Sequence, residues 1–245
     1  MDRVKGGLIE TTITIPVWDD MEQFAFTEKA VDQILTFTPG SYQLIVVDNN
    51  SPYEGTREFL LGVQASTPNF RVICNKENVG YGRALNQGIS LGMDEGSSYF
   101  VCLNNDIVVR DTNWLEVLVG PLRENARRLV GARMIDFNEA TRFDGDIEPY
   151  LEGWCLAFER TLVRELGMFD DDIFLWFEDV ELSIRASRAG YELVQPKEFE
   201  WNNRVGMPLR GPLLHLYGMT GFRRGLDFPN ISLTSRELVR GKWFD

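Results

Sequence analysis

Short runs rich in Val, Ile, Leu and Phe alternate with stretches of helical periodicity through the first half of the chain, and this alternation limits the fold more than any other feature. Glu10 to Ile15, Tyr42 to Val47, Phe70 to Cys74 and Ser98 to Leu103 read as strands, with helices near 21–37, 55–65 and 81–93 between them. Strands joined through helices of this length run parallel with right-handed crossovers. The spacing therefore predicts an α/β chain with a Rossmann-like, mostly parallel central sheet flanked by helices, and ligand bound at the carboxyl ends of the strands. Every run ends in polar or turn-forming residues: Pro-Val-Trp-Asp-Asp after Ile15, Asp-Asn-Asn-Ser-Pro after Val47, Asn-Lys-Glu-Asn-Val-Gly-Tyr-Gly after Cys74, and Asn-Asn-Asp after Leu103. One such loop is ordinary turn chemistry. Four at the same sheet edge mark that edge as a binding site.

Beyond Asp106 the alternation loosens into a helix over Trp114 to Leu122, a strand over Leu129 to Ile135 and a polar stretch from Asp136 to Pro149. No repeat or linker marks a boundary, so a single domain of 245 residues is expected, with its change of character near residue 107. A chain of this length buries roughly 70% or more of its unfolded surface and needs no disulfide or metal for stability. Any metal then serves chemistry.

The formal charge is -12, from 25 Lys+Arg against 37 Asp+Glu, which lacks the basic surface that neutralises nucleic-acid phosphates. The imbalance reverses in 201–245, which holds 7 basic and 3 acidic residues, a basic tail on an acidic body. Cys74, Cys102 and Cys155 are widely spaced in apolar runs and read as buried thiols of a reducing compartment. Residues 1–15 have no apolar leader core, and no stretch approaches about 18 uninterrupted apolar residues. The expected location is cytoplasmic, at most peripheral to a membrane, with no transmembrane segment.

Several residues suggest chemistry. Gly80 and Gly82 stand at a loop-to-helix junction with Arg83 and Asn86, where the backbone can approach a ligand and the helix amino end favours anionic groups. Neither a Gly-Lys-Ser/Thr loop nor a Gly-x-Gly-x-x-Gly after the first strand is present, which excludes the nucleotide-hydrolase and dinucleotide fingerprints. Glu178 and Asp179 precede an apolar-periodic helix and fall in its first turn, where the dipole favours an ionised carboxylate. The same pattern is common helix-start acidity, and Glu181 with Arg185 is an ordinary i,i+4 pair. The Asp170, Asp171, Asp172 run reads as a turn.

Together, ITIPVW, VVDNNSP, NVGYGRALNQGI, LNND and EGWCLAFERTLVRELGMFDDDIFLWFEDVELSIRASRAGYEL resemble glycosyltransferase family 2 with a GT-A fold, most closely its bacterial rhamnosyltransferase-type members. The likeness runs from about residue 10 to 195 and is most specific from Glu152 to Leu193. It implies inverting transfer of a hexose or deoxyhexose from a nucleotide-diphosphate sugar to a glycan or glycoconjugate hydroxyl, as in polysaccharide biosynthesis, with Mn²⁺ or Mg²⁺.

It also implies a nucleotide-binding half over 1–106 and an acceptor and catalytic half over 107–199, while the reversed charge, the glycines and the place of 200–245 after the last strand predict a C-terminal acceptor-binding lid there. The donor falls to Pro16, Val17, Asp48, Asn50, Gly80, Arg83, Asn86, Asn104 and Asn105, with Asp48 on the nucleobase or ribose. The metal falls to Asp106 and to His215, the only histidine; Asn104 stands where the family's Asp-x-Asp has its first Asp, which should weaken metal affinity. Asp179 is implied as base, Glu178 as its partner at the acceptor, Trp154 and Trp176 as sugar platforms, and Arg223 and Arg224 as lid cations for the diphosphate. Two other classes compete: a catalytically inactive sugar-nucleotide-binding or lectin-like relative, to which Asn104 lends weight, and a sugar-phosphate nucleotidylyltransferase. The latter needs a Gly-rich amino-terminal loop with Arg and Lys, and ITIPVWDD has neither.

Overall fold

The computed structural model describes residues 9–202, 207–216 and 227–244. In chain order the elements are β1 (Thr11–Val17), α1 (Phe24–Phe37), β2 (Tyr42–Asp48), α2 (Glu54–Ser66), β3 (Phe70–Cys74), α3 (Tyr81–Asp94), β4 (Tyr99–Leu103), β5 (Ile107–Val109), α4 (Trp114–Glu124), β6 (Arg128–Gly131) and β7 (Met134–Ile135). Then come β8 (Arg142–Phe143), β9 (Asp146–Ile147), β10 (Tyr150–Leu151), β11 (Cys155–Glu159), α5 (Arg160–Leu166), α6 (Glu178–Arg188), β12 (Glu192–Val194), β13 (Glu200–Asn202), β14 (Met207–Arg210), β15 (Leu213–His215) and α7 (Phe228–Trp243).

The expected parallel sheet is present, with strand order β12-β6-β11-β4-β1-β2-β3. The order reverses between β1 and β4, and this switch point opens the carboxyl-edge crevice. Two features of the second half differ from expectation. β11 enters the sheet antiparallel to both β4 and β6, and the single strand expected over Leu129 to Ile135 is two, β6 and β7, broken at Ala132 and Arg133. The break lets Ala132 N–H bond the Cys155 carbonyl at 3.2 Å while Arg133 turns to Glu152.

Period-two alternation sends side chains to both faces. Ile13, Ile15, Leu44, Val101 and Ala157 join Ile34 of α1 and Trp114 of α4 on one face, while Phe100, Cys102, Leu156 and Phe158 join Leu85 of α3 and Leu182 of α6 on the other. β1 turns Thr12 and Thr14 toward α3, whose Gly88 and Gly92 allow a close approach: a Cβ on either would lie 2.4 or 2.3 Å from a threonine side chain. β1 runs on through Pro16 to Val17, because its ladder to β4 ends at Thr14 and the proline lies where that side has no partner strand.

Cys102 and Cys155 are buried, but Cys74 is exposed, since β3 is the sheet's edge and Cys74 its last residue. Within 200–245, α7 is packed: Val239 is buried with Ile184 and Phe177, Phe244 stacks on Phe143 with centroids 4.5 Å apart, and Ser235 Oγ donates to the Leu175 carbonyl at 2.9 Å. No helix among the described residues is long and apolar enough to cross a membrane.

Candidate active site

A cavity of about 340 Å³ opens at the switch point, lined by Pro16, Val17 and Trp18 after β1, Gly80 and Tyr81 at the start of α3, Asn104 and Asn105 after β4, the 150–154 strand and turn, the 174–179 turn, and His215. Asp106 lies behind this wall, 1% exposed.

One side of the cavity is built on the antiparallel pairing of β5 with β15, which sets His215 opposite Ile107 and lets Leu216 N–H bond the Asp106 carbonyl at 2.9 Å. The ladder thus brings together two residues far apart in sequence: His215 Nε2 is 3.0 Å from Asp106 Oδ1. The imidazole lies flat on Trp154, with ring centroids 4.9 Å apart and planes 5° from parallel. Trp154 Nε1 in turn donates to Glu152 Oε2 at 3.1 Å, and Glu152 pairs with Arg133 at 2.9 Å. Adjacent corners of an octahedron with bonds of about 2.1 Å stand about 3.0 Å apart, so this pair has the spacing and the donor types for a divalent cation, the imidazole suiting Mn²⁺ better than Mg²⁺. Among the described residues no group of three His, Cys, Asp or Glu side chains suited to a metal occurs. The neighbour is Asn104, whose amide lies between His215 Nε2, 3.1 Å from its Nδ2, and the Tyr81 hydroxyl, 2.7 Å from its Oδ1. Burial holds the Tyr81 phenol well above its ordinary value, so it carries its proton.

The other side is the start of α6. Trp176 and Phe177 both adopt left-handed backbone, at φ 62° and 65°. Two successive left-handed aromatics are costly, on the order of 1–3 kcal/mol each, and such strain clusters at functional sites. Phe177 is held by burial among Ile173, Val180 and Val239. The turn delivers Glu178 and Asp179 to the cavity. Asp179 accepts the Gly153 and Val180 amides, each at 2.8 Å, and Gly153 must be small because a Cβ there would come within 3.1 Å of the Asp179 side chain. Glu178 is 5% exposed, and its Oε2 meets no hydrogen-bond partner among the described residues. Burial raises both carboxyls, Glu178 to about 8 with help from the Asp179 charge, and Asp179 to about 6, held down by its two amides. Asp179 ionises first.

Four expected donor residues face elsewhere. Asp48 bonds Arg57 at 2.7 Å and accepts the Ser51 amide at 2.8 Å, while Asn50 is exposed in a left-handed turn. Arg83 donates to the Asp171 carbonyl at 2.7 Å, and Asn86 donates to the Phe169 carbonyl and Asp171 Oδ1 at 2.8 and 2.9 Å. These last two fasten α3 to the loop that carries Trp176. Asn105 lines the cavity yet anchors by its amide to Asp19 and Thr27. Trp154 lends one face to His215, and Trp176 lines the cavity. Arg223 and Arg224 lie outside the described residues. Tyr81, Asn49 and Gly153 line the cavity without a signal in the sequence beyond their place in loops at strand ends; Asn49 donates to the Gly80 carbonyl and so ties the β2 loop to α3.

A family model, Glycosyl transferase family 2, matches residues 12–180. The chain belongs to glycosyl transferase family 2. Among solved structures, the mannosyltransferase PcManGT from Pyrobaculum calidifontis, in complex with GDP-Man and Mn²⁺, is similar to this family 2 chain at TM-score 0.61 and 18% identity, over 76% of this chain and 54% of that one. GalNAc-T7 with UDP, GalNAc and Mn²⁺ is similar at TM-score 0.68 and 17% identity, over 97% of this chain and 48% of that one. The family 2 chain thus spans about half the length of these structures, and the likeness shows a shared GT-A fold. No curated protein sequence matches it.

Proposed function

We propose that this family 2 chain is an inverting glycosyltransferase of rhamnosyltransferase type, moving a hexose or deoxyhexose from a nucleotide-diphosphate sugar to a hydroxyl of a glycan or glycoconjugate. The observation that carries the reading is a single cavity lined by His215, with Asp106 3.0 Å behind it, and by Glu178 and Asp179. Asp106 and His215 hold Mn²⁺ or Mg²⁺ beside the donor diphosphate. The bound cation supplies the positive charge that an acidic chain lacks and so stabilises the leaving diphosphate.

The chain's own residues do the rest. Gly80, where φ is 95° and a Cβ would lie 2.5 Å from the Phe174 carbonyl, lets the turn that carries Trp176 pack on the start of α3 at the cavity wall. Trp176 offers a flat face to sugar. Ionised Asp179, fixed by two amides, takes the acceptor hydroxyl's proton as that oxygen bonds the anomeric carbon opposite the diphosphate; the bond to the diphosphate oxygen breaks, and configuration inverts. Glu178, protonated at neutral pH, donates a hydrogen bond from inside the wall and holds the acceptor. Arg223 and Arg224, outside the described residues, supply positive charge to the diphosphate.

The test is a panel of UDP-, dTDP- and GDP-sugars with Mn²⁺, scored for nucleoside diphosphate release and, by proton NMR, for the anomeric configuration of the product. Release with inversion supports the reading. Donor binding with no release, with or without glycan acceptors, would favour the inactive sugar-nucleotide-binding reading.

A further inference from the structure

At and just behind the cavity wall three polar groups crowd one point. His215 Nε2 is 3.0 Å from Asp106 Oδ1 and 3.1 Å from Asn104 Nδ2. If Nε2 carries a proton it serves the carboxylate and meets an amide N–H; if it carries a lone pair it serves the amide and faces a carboxylate oxygen. A half-turn of the Asn104 amide exchanges its oxygen and nitrogen with the side chain otherwise unmoved. With Nε2 unprotonated, three electron pairs, from Asp106, His215 and Asn104, then converge, an arrangement suited to a divalent cation.

The turn requires something behind the amide that can serve both orientations. Tyr81 is placed to do so: its oxygen is 2.7 Å from Asn104 Oδ1, and the Gly153 carbonyl is 3.2 Å away as a second acceptor for its proton. A hydroxyl donates once and accepts as well, so it can donate to the amide oxygen in one state, and accept from the amide nitrogen while donating to Gly153 in the other.

The geometry points to Tyr81 as a positioning residue that makes Asn104 a third ligand to the divalent cation, its hydroxyl holding the amide nitrogen so that the amide oxygen faces Asp106 and His215. The inference rests on the proposed cation site. It explains how an asparagine serves in place of a carboxylate: a carboxylate presents oxygen either way round, whereas an amide must be turned and kept turned.

The experiment is Mn²⁺ titration of the full chain without donor, reading free Mn²⁺ by electron paramagnetic resonance, for wild type, Tyr81→Phe, Asn104→Ala, the double variant and Asp106→Ala. Loss of a group that orients a ligand weakens metal binding by about 10-fold or more. Tyr81→Phe and Asn104→Ala should each do so, and the double variant should be no weaker than either alone, because the hydroxyl has nothing left to orient. Unchanged circular dichroism and melting would show that Tyr81→Phe, which keeps the ring, folds; a variant that does not is replaced by Tyr81→Trp in the same cycle. Full additivity in the double variant, or unchanged affinity in Tyr81→Phe, overturns the inference while Asp106-dependent binding leaves the cation site standing. Wild type whose Mn²⁺ binding does not depend on Asp106 overturns both.

Discussion

Glu178 and Asp179 are neighbours in sequence with different surroundings, and the proposed roles follow from them. Asp179 has two amide donors and opens to the cavity; Glu178 is enclosed with an oxygen that no described residue satisfies. Asp179→Asn should therefore keep donor affinity and lose transfer by about 10²-fold or more, the usual cost of removing a general base, in steady-state assays at saturating donor. Glu178→Gln should raise the acceptor KM with a smaller change in kcat. The raised carboxyls also set the pH dependence of stability. From the ordinary glutamate value of about 4.3 upward, the unfolded chain has released protons that the folded chain retains, so this contribution to stability is present at acid pH and lost as pH rises through the Glu178 value of about 8. Urea unfolding in EDTA should show Glu178→Gln gaining on wild type between pH 5 and pH 8; a gap that stays constant contradicts the assignment.

The elements of the first half were legible in the sequence because each strand is bounded by turn residues and each helix carries its own period; β1 to β4 and α1 to α3 lie within a few residues of their expected places. The second half was less so. Residues 155–158 are buried on both faces, and so short an apolar run has no alternation by which to identify a strand in the middle of a sheet. The glycine pair of α3 escaped notice as well, since spacing alone does not reveal which strand a helix presses on. Gly88→Ala would push a Cβ to 2.4 Å from Thr14 and should cost about 1–3 kcal/mol, the range for overpacking, measured by urea unfolding. Of the candidate site, the loops Asn104–Asp106 and Glu178–Asp179 were legible because chemistry is written into their residue types. Asp48 and Arg83 have equally suggestive types and face Arg57 and the Asp171 carbonyl instead, which only packing decides. Tyr81 carries no signal in the sequence, since the partners of its hydroxyl, Asn104 and the Gly153 carbonyl, are distant along the chain.

On the scale of the whole molecule, the sheet brings the donor edge together, β5 and β15 bring His215 to Asp106, and α7 braces the turn beneath Trp176 through Ser235 and Val239. The C-terminal segment thus contains a packed helix, α7, preceded in sequence by Arg223 and Arg224. Hydrogen exchange should slow in 200–227 on adding donor with Mn²⁺ and stay unchanged in α7; equal protection in both, with or without ligand, contradicts the division. A cation at Asp106 and His215 that couples donor binding to the fold would show in thermal unfolding, since a ligand that binds only the folded state raises Tm. With the UDP-, dTDP- and GDP-sugar panel, one donor should raise Tm in Mn²⁺, lose that effect in EDTA and lose it in Asp106→Ala. The same rise in EDTA, or an undiminished rise in Asp106→Ala, would contradict the account.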